Sequence, residues 1–231
     1  MVKVKRSFPA PASLALEKCK ANGKYNGKDV VRQLAADFHG KCYICEIGDL
    51  QDPVVEHLVP HAGDKDRKFD WENLFFCCHH CNAMKNETRY DNGILDCCRV
   101  DPERYISFEL RSGQVEIKQL ALIASGGGAV SQNLVKLTVD LLNDVYNRTD
   151  TGIRIESCAV RFKALQEEMD VFLRTLEGYE RACRRGQERP MKRNLDALKG
   201  FLDRSAPFAA FKRNYVRGRS ARYASLMPLL A

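Results

Sequence analysis

Two cysteine pairs stand out: Cys42/Cys45 in "KCYICE" and Cys78/Cys81 in "FFCCHHCNAMKN". Each is a C-x₂-C, and 32 residues separate them. Four thiolates in this arrangement close a tetrahedral zinc site and leave no position for a reacting water. The expected ion is therefore a structural Zn²⁺. Cys77 also has x₂ spacing to His80, so the sequence leaves Cys77 and Cys78 open as the third ligand; Cys78 is preferred, because its partner Cys81 immediately precedes Asn82.

Between and just after the pairs lie Glu56-His57, Pro60, Asn73, Asn82 and Lys85. A neutral imidazole is available as a general base near pH 7, which suits His57. Glu56 and Asn82 offer oxygen, the donor that hard Mg²⁺ or Mn²⁺ takes while retaining several waters. His79 and His80, at the expected helix start, compete with Asn82 as ligand. Lys85 falls one helical turn beyond Asn82 and is expected to face the same side, within reach of a phosphate. A base, a hard cation and a phosphate contact are what phosphodiester hydrolysis needs.

In type and order, these residues resemble the HNH, or ββα-metal, endonucleases over about residues 41–86. The resemblance implies His57 as general base, Asn73 orienting it, Glu56 with Asn82 (or His80) holding a catalytic Mg²⁺, and the cysteines as a zinc clamp. Glu56 departs from the more common Asp or His at its position. A wider set of segments is similar to the PtuB-type HNH nucleases of Septu and some retron anti-phage systems. It comprises "GKCYICE", "VEHLVPH", "FDWENLFFCCHHCN", "DNGILD", "YISFEL…GQVE", "LLNDVYNR" and "PFAAFKR". That likeness implies a nuclease working beside PtuA, an ABC-type ATPase. The chain has no Walker motif of its own. Two rival readings are an RNA-cleaving toxin nuclease with the same site, and a non-catalytic zinc module that binds nucleic acid or a partner.

The elements that must carry these residues are legible in outline. Residues 1–40 read as a helical segment, two short helices broken at "NGKYNGK" and capped at His39-Gly40. The nuclease core with its zinc site is assigned to 41–100, with "DKDRKFD" (64–70) as a solvated loop. Residues 101–130 hold a β-hairpin turning at Ser112-Gly113, then the turn "SGGGAVS". From 131 to 231 the pattern is helical, with Leu134, Leu137, Leu141 and Leu142 on one face and a Phe208/Phe211/Tyr215 stripe read as core. The expected class is α+β: a zinc-clamped ββα-metal core, a β-hairpin and a mostly helical C-terminal region.

Composition bounds the rest. The 231 residues are 45% apolar and 29% charged, as in globular proteins. No apolar run approaches the length of a membrane span, and no secretory leader is apparent, so a cytoplasmic protein is expected. Its ten cysteines should then remain thiols. Cys19, Cys158 and Cys183 read as core residues, and Cys97-Cys98 as a structural pair on a strand. The net charge is +7, concentrated between Arg181 and Arg222, where thirteen Lys and Arg face three acids. Such a segment suits nucleic acid, DNA more than RNA, or an acidic protein partner.

Overall fold

The computed structural model describes residues 1–111, 113–120 and 130–231. Helices α1 (Ala12–Lys18) and α2 (Lys28–Asp37) come first, separated as expected. Helix α2 stops because His39 and Gly40 take left-handed φ angles of 54° and 67°. The Gly40 N–H then returns to the Ala35 carbonyl at 2.8 Å, closing the helix end.

Strands β1 (Pro53–His57) and β2 (Leu74–Cys78) pair antiparallel, with Pro53 opposite Cys78 and His57 opposite Leu74. Every residue of β2 is buried. The connection between the strands is more ordered than expected. Asp64 accepts the N–H groups of Asp66 and Arg67 and starts a one-turn helix, α3 (Lys65–Lys68), so the segment is helical where a loop was expected, while most of it is exposed as expected. Asp70 does the same for a 3₁₀ turn at Trp71–Asn73. Helix α4 (His79–Lys85) follows β2 directly, so this stretch is a strand–strand–helix unit.

The second hairpin joins β3 (Ile106–Arg111) and β4 (Gln114–Gln119), with Arg111 opposite Gln114. Gly113 has a φ of 79°, the left-handed value such a turn needs and glycine adopts without strain. Ile106, Phe108, Val115 and Ile117 alternate onto the buried face. That face packs between α5 (Gln132–Asn147) and α8 (Ala209–Arg217). Residues 125–129 of the glycine-rich turn lie outside the described residues.

Helices α6 (Gly152–Arg184) and α7 (Glu188–Leu202) run back along each other across a short connection. The α5 face forms as expected, with Leu141 and Leu142 buried and Leu134 and Leu137 packed at the edge of the core. Phe208 and Phe211 are core, and Tyr215 meets Phe172 edge-on. The architecture is thus α+β, with two small antiparallel sheets and a mostly helical C-terminal half. Among the described residues, no helix is long and apolar enough to cross a membrane.

Three cysteine readings change. Cys19 and Cys183 are exposed at helix ends, and only Cys158 is core. Cys97 and Cys98 sit in a turn rather than on a strand, because the Asp96 side chain accepts the Cys98 N–H at 2.7 Å and folds the chain back.

Candidate functional site

The Sγ atoms of Cys42, Cys45, Cys78 and Cys81 all lie within 4.8 Å of one another and all four residues are buried. Cys45 and Cys78 are 3.9 Å apart. Zinc–sulfur bonds of about 2.3 Å at tetrahedral angles space the sulfurs about 3.8 Å apart, so the group fits Zn²⁺. Cys78 belongs to it because it is the N-cap of α4, where its sulfur accepts the Cys81 N–H at 3.5 Å. Cys77, one residue earlier on β2, has its sulfur 3.8 Å from that of Cys42 but is outside the four-way cluster.

The cluster is also tied to the helical half, through residues that carried no signal in the sequence. Arg161 of α6 donates from Nη2 to Cys78 Sγ at 3.3 Å, placing a positive charge against thiolate sulfur. Tyr146 of α5 donates its hydroxyl to the Cys45 carbonyl at 2.8 Å. Lys41 donates to the carbonyls of Arg204 and Ala206, and Glu46 accepts the Ala210 N–H at the start of α8.

His57 ends β1 with its ring nearly buried. Its Nε2 is 3.0 Å from the Lys68 carbonyl. A carbonyl only accepts, so Nε2 carries the proton and Nδ1 is left with a free lone pair, the form a base requires. Burial also holds the imidazole below its ordinary pKa, against the opposing pull of the Lys68 carbonyl, so the ring is neutral near pH 7. The Asn73 side chain hydrogen-bonds elsewhere than to His57. It brackets Val59, accepting its N–H and donating to its carbonyl at 2.9 Å each, and donates to the Arg67 carbonyl at 3.2 Å. It therefore fixes the loop whose next carbonyl, that of Lys68, holds His57.

The loop between α1 and α2 adds Tyr25, for which the sequence carried no signal. Its ring meets His57 edge-on at 4.5 Å between centroids. Lys68 reaches back to the Gly23 carbonyl at 2.9 Å and holds that loop in place. Lys65 and Arg67 are likewise spent on carbonyls, of Lys20 and Pro60.

Lys85 ends α4 and is turned inward. Its ammonium is buried, 2.8 Å from Glu56 Oε1 and 2.9 Å from the His57 carbonyl. It is a partner of Glu56, so the expected phosphate contact is not available to it. Glu56 thus arrives with its charge matched, and Glu56 with Asn82 does not fit a divalent ion while Lys85 stays. His80, the alternative ligand, is tied to the helical half through one ring nitrogen. Its ring donates from Nε2 to the Val145 carbonyl at 3.1 Å, and burial pushes its pKa down to about 4. At 100° per residue, His80 and Asn82 leave α4 on nearly opposite sides.

The Glu56–Lys85 pair yields a direct expectation. In Lys85→Met the carboxylate stays buried without its cation, and breaking such a pair costs about 3–5 kcal/mol. Burial, partly offset by Lys85, already raises the Glu56 pKa above 4.5, and losing Lys85 raises it further. An acid with a raised folded pKa is least costly when protonated. The deficit in urea unfolding should therefore be full at pH 7 and shrink as pH falls through the folded pKa toward 4.5.

The basic C-terminal segment divides in two. Arg213 is buried with its Nε–H shared between the two Glu103 oxygens, at 2.8 and 3.0 Å, and also donates to the Leu202 and Leu230 carbonyls. Lys212 pairs with Glu168, Arg222 with Glu180 and Arg204 with Asp101. These cations hold the helices together. Around the α6–α7 connection, Arg181, Arg184, Arg185, Arg189, Lys192 and Arg193 remain at the surface, in whole or in part. Comparison with known proteins found no matching family model, curated protein or solved structure.

Proposed function

We propose that the chain is an HNH-type endonuclease that hydrolyses phosphodiester bonds of nucleic acid, DNA before RNA. The reading extends to the nuclease subunit of an anti-phage complex with an ABC-type ATPase. The observation that carries the chemistry is His57: a neutral, buried imidazole whose Nε2–H is committed to the Lys68 carbonyl, leaving Nδ1 to take a proton from water. Asn73 holds the loop that fixes this orientation. The four thiolates would hold Zn²⁺ as a brace for β1 against α4, and a closed sulfur site supplies no reacting water. In the resemblance, the divalent cation sits at Glu56 and Asn82. Because Lys85 occupies Glu56, no step is assigned to that ion.

The test is incubation of the zinc-loaded protein with plasmid and with total RNA, in Mg²⁺ or Mn²⁺ against EDTA, alone and with a co-encoded ATPase. Nicking of plasmid supports the reading, and cleavage of RNA alone would favour the toxin alternative. The Glu56–Lys85 pair specifically favours the other reading, a zinc module that binds without cutting. Absence of cleavage under every condition would overturn the nuclease reading.

Either reading uses the surface cations at the α6–α7 connection. They are mostly arginines, whose planar forks suit phosphate, and nucleic-acid interfaces are rich in positive charge. Arg184 lies roughly 35 Å along α6 from Arg161, which touches the zinc cluster. A ligand meeting both ends must be long. Arg184→Glu with Arg185→Glu and Arg189→Glu is expected to weaken duplex binding uniformly across sequences. The slope of log K against log salt should become shallower by about one for each phosphate that is no longer neutralised. Fluorescence anisotropy across salt concentrations measures this; an unchanged slope would place the nucleic acid elsewhere.

A further inference from the structure

The turn after β1 presents a second imidazole whose arrangement complements that of His57. Ala62 and Gly63 take left-handed φ angles of 46° and 85°, which folds the Gly63 N–H back onto His61 Nδ1 at 3.1 Å. The Asp64 N–H closes the same turn onto the His61 carbonyl at 2.8 Å. Arg67 clamps it from outside through the Pro60 carbonyl. The His61 ring stands against His57, with centroids 4.9 Å apart and planes at 65°, and Tyr25 walls both rings.

Hydrogen bonding decides what each ring offers. His61 Nδ1 accepts from Gly63, so the proton of the neutral ring is on Nε2. Among the described residues, nothing takes up that N–H. His57 has the reverse commitment, its Nε2–H used by Lys68 and its Nδ1 free. The two touching rings therefore leave over one acceptor and one donor. His61 is also the more exposed of the two.

We propose that His61 is a catalytic residue, a hydrogen-bond donor through Nε2–H to a non-bridging oxygen of the scissile phosphodiester beside His57. This rests on the phosphodiesterase reading above and adds a residue to it. In the step, the water oxygen bonds to phosphorus and its proton passes to His57 Nδ1. The ester P–O bond breaks, and the departing alkoxide is protonated by solvent. His61 gives a hydrogen bond to the phosphoryl oxygen, strongest as charge builds there, and transfers no proton.

Three measurements on the full zinc-loaded chain test this. Long-range ¹H–¹⁵N correlation is expected to show both His57 and His61 as Nε2–H tautomers; an Nδ1–H form of His61 would overturn the proposal. Titration with the dinucleotide TpT, a single phosphodiester, should shift the His61 Nε2 resonance in wild type, and an unmoved resonance counts against it even if the protein cuts nothing. With saturating plasmid, His61→Ala should lower kcat by about 10²–10³-fold with little change in KM. His61→Gln, which keeps an N–H donor, should recover most of that loss, as a merely structural role would not. A wild type that cuts with His61→Ala within twofold of it removes His61 alone, whereas a wild type that cuts nothing removes the nuclease reading.

Discussion

Cys81→Ser, or removal of zinc by a strong chelator, is expected to unfold the helical half of the protein together with the knuckles. Structural zinc supplies about 10–16 kcal/mol of binding free energy, comparable to the whole stability of a domain, about 5–15 kcal/mol. Here the cluster is bonded to distant parts of the chain. Arg161 of α6 donates to Cys78, Tyr146 of α5 to the Cys45 carbonyl, and Lys41 to the carbonyls that precede α8. Glu46 accepts the Ala210 N–H with its side chain and the Phe208 N–H with its carbonyl. Glu46 itself has a φ of 61°, a strained value that the closed knuckle must maintain. Without the ion, four buried thiols lose their common partner and these anchors lose their fixed positions. The expected result is loss of cooperative melting in the helical circular-dichroism signal, with zinc content by mass spectrometry falling from one to near zero. Cys77→Ser is the matched control and should keep its zinc. Stoichiometric zinc in Cys81→Ser, or its loss in Cys77→Ser, would reassign the ligands.

The contrast between Cys77 and Cys78 shows where sequence reasoning reaches its limit. The x₂ spacings admitted either residue, and what separates them is that Cys78 caps α4 and bonds back to Cys81. Helices, the 105–120 hairpin and the aromatic stripe were legible because each follows a local period. Periodicity puts Lys85 one turn beyond Asn82 on a helix, but it does not say that Lys85 packs on Glu56. Charge counting had the same blind spot. Arg213 and Glu103 are 110 residues apart, and only the packing of α8 against β3 makes a cation from the basic segment internal. Tyr25 and His61 reach His57 from turns, which carry no local period to read.

His57→Gln is the sharper variant of the proposed base. Glutamine offers an N–H of similar reach for the Lys68 carbonyl, so the loop held by Asn73 can stay in place while the lone pair of Nδ1 is lost. A positioned general base contributes about 10²–10⁴-fold, and a fall in kcat of that size is expected, with zinc content and melting unchanged. The wild-type pH dependence should identify the same group. Burial holds the folded His57 pKa below 6.5, with its neighbours His61, Lys85 and Lys68 acting in the same direction and the Lys68 carbonyl opposing. The neutral form is therefore retained at pH 6.5, and the acid limb of kcat should lie below that value. The same shift favours folding above pH 6.5, and that contribution is lost as pH falls through the folded pKa. Unfolding curves taken alongside the rates separate the two effects. An acid limb that persists in His57→Gln would assign the titration to another group, and full activity in that variant would end His57's role as the base.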